Sequence, residues 1–282
     1  MGILLGLLTA LAYGGGDYVA GLAARHAPAL SVVLYSKLLG AAMLATLAWV
    51  TGAPPAAGSV GWSIVAGLSL GLGSFLYFRA LAGGDMGVVA TVVATWTAVV
   101  PFGIGLALLG ERPSMATQLG AFIVIVSIAL VTGGVKRKPV TVTGHVMGTV
   151  ARATPGGLVL GGFFVFLDLA DASRTPLWSA TWVLLAAAAT VALVLPFTAG
   201  RRPRGGRTWA LVAATGVCQA VATSVFAVAL GHGLLSVVAV AAALSPAPTA
   251  MLAWWLSGER LARLQVLGLA LALAGIATMS LG

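Results

Sequence analysis

The sequence predicts an all-α membrane protein, with ten transmembrane helices arranged as two inverted five-helix repeats. Three observations carry that prediction. Only 7% of the 282 residues are charged and 60% are hydrophobic, whereas a soluble domain carries about 25% charged residues to cover its surface. The apolar residues gather into ten runs of spanning length. Motifs in the first half recur, in the same order, in the second.

A spanning helix needs about 20 mostly apolar residues. The runs that meet this are 2–22, 29–50, 60–82, 86–109, 115–134, 156–173, 176–198, 208–230, 234–257 and 262–281. The first starts at Gly2 with no Lys or Arg before it, so it lacks the basic region of a cleaved signal peptide and is expected to stay. Proline and glycine punctuate the rest: Ala27-Pro28, Gly52-Ala53-Pro54-Pro55, Gly83-Gly84-Asp85 and Glu111-Arg112-Pro113 separate the first five spans. The stretch 135–155 reads as a basic connecting loop. Arg174-Thr175-Pro176, the stretch 199–207, Gly231-His232-Gly233 and Gly258-Glu259-Arg260 separate the last five. No connection is long enough to hold an extramembrane domain.

The organisation is therefore a first repeat over 1–134, the loop 135–155 and a second repeat over 156–282. Gly110-Glu111-Arg112 is followed by Gly120, and Gly258-Glu259-Arg260 by Gly268 at the same distance. Gly2 and Gly6 match Gly157 and Gly161, and Trp62 opens the third span as Trp209 opens the eighth. Small residues four apart let helices approach closely. A duplicated unit with an odd number of spans must insert the two copies in opposite orientations, and transporter sites form at the interface of such repeats.

Fifteen Lys and Arg against six Asp and Glu give a net charge of +9. The cations form short clusters between apolar runs, with no basic domain for a phosphate backbone, so nucleic acid is not an expected partner. Connections 1–2, 3–4, 5–6, 7–8 and 9–10 hold Arg25, Lys136, Arg137, Lys138, Arg152, Arg201, Arg202, Arg204, Arg207, Arg260 and Arg263. The opposite side holds Arg112 and Arg174. Eleven against two places the first set, here called the basic side, in the cytoplasm, and both termini outside, in a multi-pass protein of the inner or plasma membrane. Cys218 is the one cysteine, and His26, His145 and His232 are far apart, so no metal or cofactor is expected.

Two five-helix repeats, each with a Gly-Glu-Arg turn between its fourth and fifth helices, resemble the drug/metabolite transporter superfamily, specifically its EamA-type ten-helix permeases. The second copy is the closer match, with Ser245-Pro246, Gly258-Glu259-Arg260 and Leu267-Gly268; the first has Ala98 in place of the aligned proline and Pro101 three residues on. The family's usual Trp-Gly pair in the first span stands here as Tyr13-Gly14, followed by Gly15-Gly16-Asp17. The resemblance implies export of amino acids, metabolites or drugs, coupled to protons or run by exchange.

Ionisable groups inside a span are costly and are functional candidates by default. Asp17 lies about 8 Å deep in span 1 and Lys37 about 12 Å deep in span 2 from the same face, so they could pair, either to fix the hairpin or to serve as a cytoplasmic-side gate or substrate contact. The glycines 14–16 would loosen the helix and expose backbone there. Asp168 lies about 9 Å inside from Arg174, aligns with Tyr13, and finds no Lys or Arg in span 7. An unpaired intramembrane carboxylate is the type of group that loads and unloads protons. Arg79, near a span end, can snorkel, and Asp171 with Arg174 reads as a structural pair. Trp49, Trp62, Trp178, Trp209, Trp254 and Trp255 sit near span ends as an interfacial belt. Trp96 and Trp182 are deeper, where they line a cavity or pack a core, and Gln219 is a mid-span cavity candidate. Glu111 and Glu259, in turns beside arginine, read as interfacial.

The expected function is secondary active transport, as an exporter working by alternating access on a small polar or amphipathic metabolite, amino acid or drug, with the proton as candidate coupling ion. Carboxylates in both halves favour cationic or zwitterionic compounds, while Lys37 and Arg79 could meet a carboxylate. No Gly-x-x-x-x-Gly-Lys-Ser/Thr motif for ATP occurs. A lipid or lipid-precursor flippase is the alternative. An enzyme that, like prenyl-transfer enzymes, holds magnesium between Asp168 and Asp171 is disfavoured, because that chemistry needs more carboxylates than the chain has. Partners are the substrate, protons and membrane lipids, with the chain a monomer or weak homodimer.

Overall fold

The computed structural model describes residues 1–52, 57–84, 86–133, 143–195 and 202–281. Eleven helices build it: α1 Gly2–Ala24, α2 Ala29–Val50, α3 Ala57–Gly83, α4 Met86–Ala107, α5 Met115–Gly133, α6 Thr143–Leu169, α7 Pro176–Val194, α8 Gly206–Leu230, α9 Leu235–Ala242, α10 Pro246–Ser257 and α11 Arg263–Ser280. Among the described residues, ten segments are long and apolar enough to cross a membrane, with α9 and α10 together making one of them. Asp85, Lys136, Arg137, Lys138 and Arg201 lie outside the described residues.

Three sequence expectations need correction. The connection 135–155 is not all loop, because α6 begins at Thr143 and runs through Pro155. The sixth span ends at Leu169 rather than 173, and a single 3-10 turn, Ala172–Arg174, follows. Its entry residue Asp171 has φ 49°, a left-handed conformation that stops a helix. The ninth span is broken. Pro246 and Pro248 bring no N–H to a helix ladder, and the chain passes from α9 to α10 through short-range bonds, Leu244 N–H to Ala241 O (3.3 Å) and Ser245 N–H to Ala242 O (3.3 Å).

The repeat is visible in the packing. α1 packs on α8 and α9 as α6 packs on α3 and α4, α2 meets α8 as α7 meets α3, and α5 pairs with α11. For these pairs, exchanging the halves returns the same partners. Single residues obey the rule as well. Gly2 and Gly6 approach His232, Gly233 and Val238 at the α9 end, while Gly157 and Gly161 approach Val93, Trp96 and Val100 of α4. Gly120 lies against Met279, and its counterpart Gly268 lies against Val131, the counterpart of Met279. The motifs that matched in sequence therefore make matched contacts.

Candidate functional site

α1 carries two faces. Leu4, Leu8 and Leu11 are 61, 52 and 56% exposed, as a lipid-facing stripe should be. The opposite stripe is buried at Gly2, Gly6 and Ala10, then becomes exposed at Asp17, Gly21 and Ala24. A helix face that is sealed in one half and open in the other borders a cleft, and this cleft opens toward the basic side. The equivalent stripe of α6 and of the 3-10 turn after it shows no such opening: Gly157, Gly161 and Val165 are buried, Asp168 is half-buried and Ala172 is 1% exposed. The far side is closed by the tilted and edge-on ring contacts of Phe163, Phe164 and Phe226 and by α9, every residue of which is buried.

Asp17 is the acidic group of the cleft. Neighbouring helices enclose it, yet its side chain keeps solvent-exposed surface, which is how a cleft wall differs from a packed core. Lys37 of α2 is 3% exposed, and its ammonium donates to Gln219 Oε1 of α8 at 3.2 Å. The charges of Asp17 and Lys37 are close enough to influence each other, but among the described residues they form no direct ion pair. The expected pair is thus an ammonium held by an amide with a carboxylate nearby. Tyr13 donates from its hydroxyl to Thr223 Oγ1 (3.0 Å); Thr223 already directs its own hydrogen to the Gln219 carbonyl (2.8 Å). Tyr77 of α3 and Cys218 of α8 also feel the charge of Asp17. Thr223 was missed in the sequence, and no spacing signal could have found it, because only the bundle brings α8 to α1.

The remaining candidates lie elsewhere. Trp96 packs its Cβ region against Gly157 of α6, a helix contact. Trp182 on α7 is half-buried, and its indole Nε1–H is enclosed without a partner among the described residues. Asp168 is one residue from the end of α6 rather than deep within it, and the charges close to it are Glu111 and Asp171. It has no cationic partner among the described residues. Arg174 pairs with Asp171 as expected, but in the turn and not on a helix surface. Arg79 is exposed near the end of α3, and Trp49, Trp62, Trp254 and Trp255 are 43–79% exposed, in keeping with snorkelling and an interfacial belt. Glu259 is exposed and faces Arg25 at 3.8 Å, but Glu111 turns inward. Its Oε1 and Oε2 accept the N–H groups of Leu235 (2.6 Å) and Ser236 (2.9 Å).

Ten spans, an internal two-fold pattern and a one-sided cleft bordered by Asp17 are the architecture of a membrane transporter. The chain belongs to the EamA-like transporter family, whose model matches residues 1–133 and again 155–281, and so to the drug/metabolite transporter superfamily. The proteins of that family are transporters rather than enzymes. A solved crystal structure of a protein 18% identical superposes with a TM-score of 0.81 over 99% of this chain and 96% of its own length; at that identity the likeness shows the fold alone. No curated protein matches the chain.

Proposed function

We propose that the protein is a secondary active exporter of a small zwitterionic or cationic metabolite, amino acid or drug, working by alternating access in the cell's inner membrane. One observation carries the reading: an exposed carboxylate, Asp17, borders the cleft, and the ammonium whose charge it feels, Lys37, is buried behind it on Gln219 rather than paired with it. Lys37 has three N–H donors, one of them engaged by Gln219. A substrate bearing both signs would give each group its counter-charge at once. The basic side is the cytoplasmic one under the positive-inside rule, so the cleft loads substrate from the cytoplasm.

Asp168 supplies the coupling. It stands at the closed end, in the helix equivalent to that of Asp17, with carboxylates rather than cations around it. A carboxylate without a cation is suited to carry a proton when its side opens. The test is a counterflow screen of amino acids, polyamines and cationic drugs in proteoliposomes. Exchange of a zwitterion or cation that is lost in Asp17→Asn supports the reading; exchange of anions only, or exchange indifferent to Asp17, overturns it.

A further inference from the structure

The closed side has a fastening that the open side lacks. After α4 the chain turns through Gly110 (φ 67°) into Glu111, and after α10 through Gly258 (φ 67°) into Glu259. The two turns close alike, with Glu111 N–H donating to Gly105 O (2.9 Å) and Glu259 N–H to Ala253 O (3.2 Å). From there the side chains diverge. Glu111 accepts two N–H groups from the first turn of α9, while Glu259 is exposed and reaches Arg25. The difference lies six residues upstream. The Glu111 carboxylate occupies the space where a Cβ on Gly105 would stand, with Ser236 beside it. The matching position in the second repeat is Ala253, whose methyl group fills that space. A carboxylate on the N–H groups of a helix start meets the positive end of the helix dipole, and charge-assisted bonds are roughly twice as strong as neutral ones.

We propose that Glu111 is the latch of the closed side, fixing the first turn of α9 to the turn between α4 and α5 and leaving it when the cleft opens on that side. This rests on the alternating-access reading, though not on any substrate or coupling ion. Glu111 acts through α9 and not on substrate, so it is a positioning residue. Since Ala253 denies Glu259 the same seat, the latch is one-sided, and the two conformations are biased toward the one open on the basic side.

The test reads conformation without ligand. In full-length protein with Cys218→Ser, spin labels are placed at Arg112→Cys and His232→Cys, exposed positions in the two connections that the latch joins. Pulsed electron-spin distances are then measured in proteoliposomes. Glu111→Gln, which sets an amide NH2 against an N–H, should increase the long-distance population several-fold. Gly105→Ala crowds the carboxylate without removing it and should do the same; it decides the matter if Glu111→Gln does not fold. Glu259→Gln should leave the distribution as in the parent. Unchanged distances in the folded latch variants, or an equal shift in Glu259→Gln, overturn the proposal. Counterflow by the parent protein is measured beside them, so that failure of the latch is distinguished from failure of the transporter reading.

Discussion

Lys37 directs one N–H to Gln219 at 3.2 Å, and the carboxylate of Asp17 has no hydrogen bond among the described residues. Each nonetheless feels the charge of the other. Asp17→Asn should leave the ammonium of Lys37 uncompensated and lower stability. The expected cost is about 1 kcal/mol, below the 3–5 typical of a fully buried pair, because Asp17 keeps contact with solvent. The double variant Asp17→Asn, Lys37→Met should recover the melting temperature while transport stays lost. Recovery of both would make the pair structural. Asp168 calls for a different measurement. Asp168→Asn should abolish proton-driven accumulation and its pH dependence while leaving substrate-for-substrate exchange within about a few-fold of the parent, since exchange needs no net proton movement. Accumulation against a gradient with normal pH dependence in that variant would remove Asp168 from the coupling.

At the scale of elements, the glycines of α1 divide by what faces them. A Cβ on Gly14 would meet Ser245 O, Pro248 and Thr249, and one on Gly16 would meet Cys218, whereas one on Gly15 would meet nothing within 4 Å. Gly14 therefore lets α1 lie against the break between α9 and α10, where Thr249 also donates to the Gly14 carbonyl at 3.0 Å. Gly14→Val should cost about 1–3 kcal/mol through overpacking, read as a lower melting temperature in detergent. Gly15→Ala should hold or raise stability by up to about 1 kcal/mol. If α1 flexes at 14–16 during transport, Gly15→Ala should slow counterflow without destabilising the protein. Equal melting temperatures for the Gly14 and Gly15 variants would show that helix contact does not decide this position.

At the scale of the whole molecule, the expected orientation rests on loop charge, eleven Lys and Arg in the connections of the basic side against two opposite. Fusions at the C-terminus should report as extracytoplasmic, and a reporter inserted between Arg201 and Arg207 as cytoplasmic. A cytoplasmic signal from the C-terminus would mean that the cleft loads from outside, reversing the direction of transport. The inverted repeat adds a geometric expectation: superposing 1–133 on 155–281 should match helices in order, α4 with the broken α9–α10, about an axis in the membrane plane. The halves should differ most where the cleft opens beside Asp17 and stays sealed beside Ala172.

Spans, repeat and basic side were legible in the sequence because the bilayer acts residue by residue. Apolar run length, small-residue spacing and loop charge are local properties that a membrane reads without knowledge of the fold. Asp17, Lys37 and Gln219 could be named for the same reason, since each is a polar group where polarity is costly. What faces them could not be read. Lys37 meets Gln219 across 182 positions, Tyr13 meets Thr223 across 210, and Glu111 caps Leu235 across 124; such pairings exist only once helices from both repeats are packed. The depth of Asp168 was misjudged because a left-handed residue at 171 ended the helix early, and nothing in Asp171 itself announces that conformation. Which side of the cleft is open was decided by tertiary structure as well. The packing of α9, α6 and the Phe163, Phe164 and Phe226 rings seals the far side, and none of those contacts is a local property of the chain.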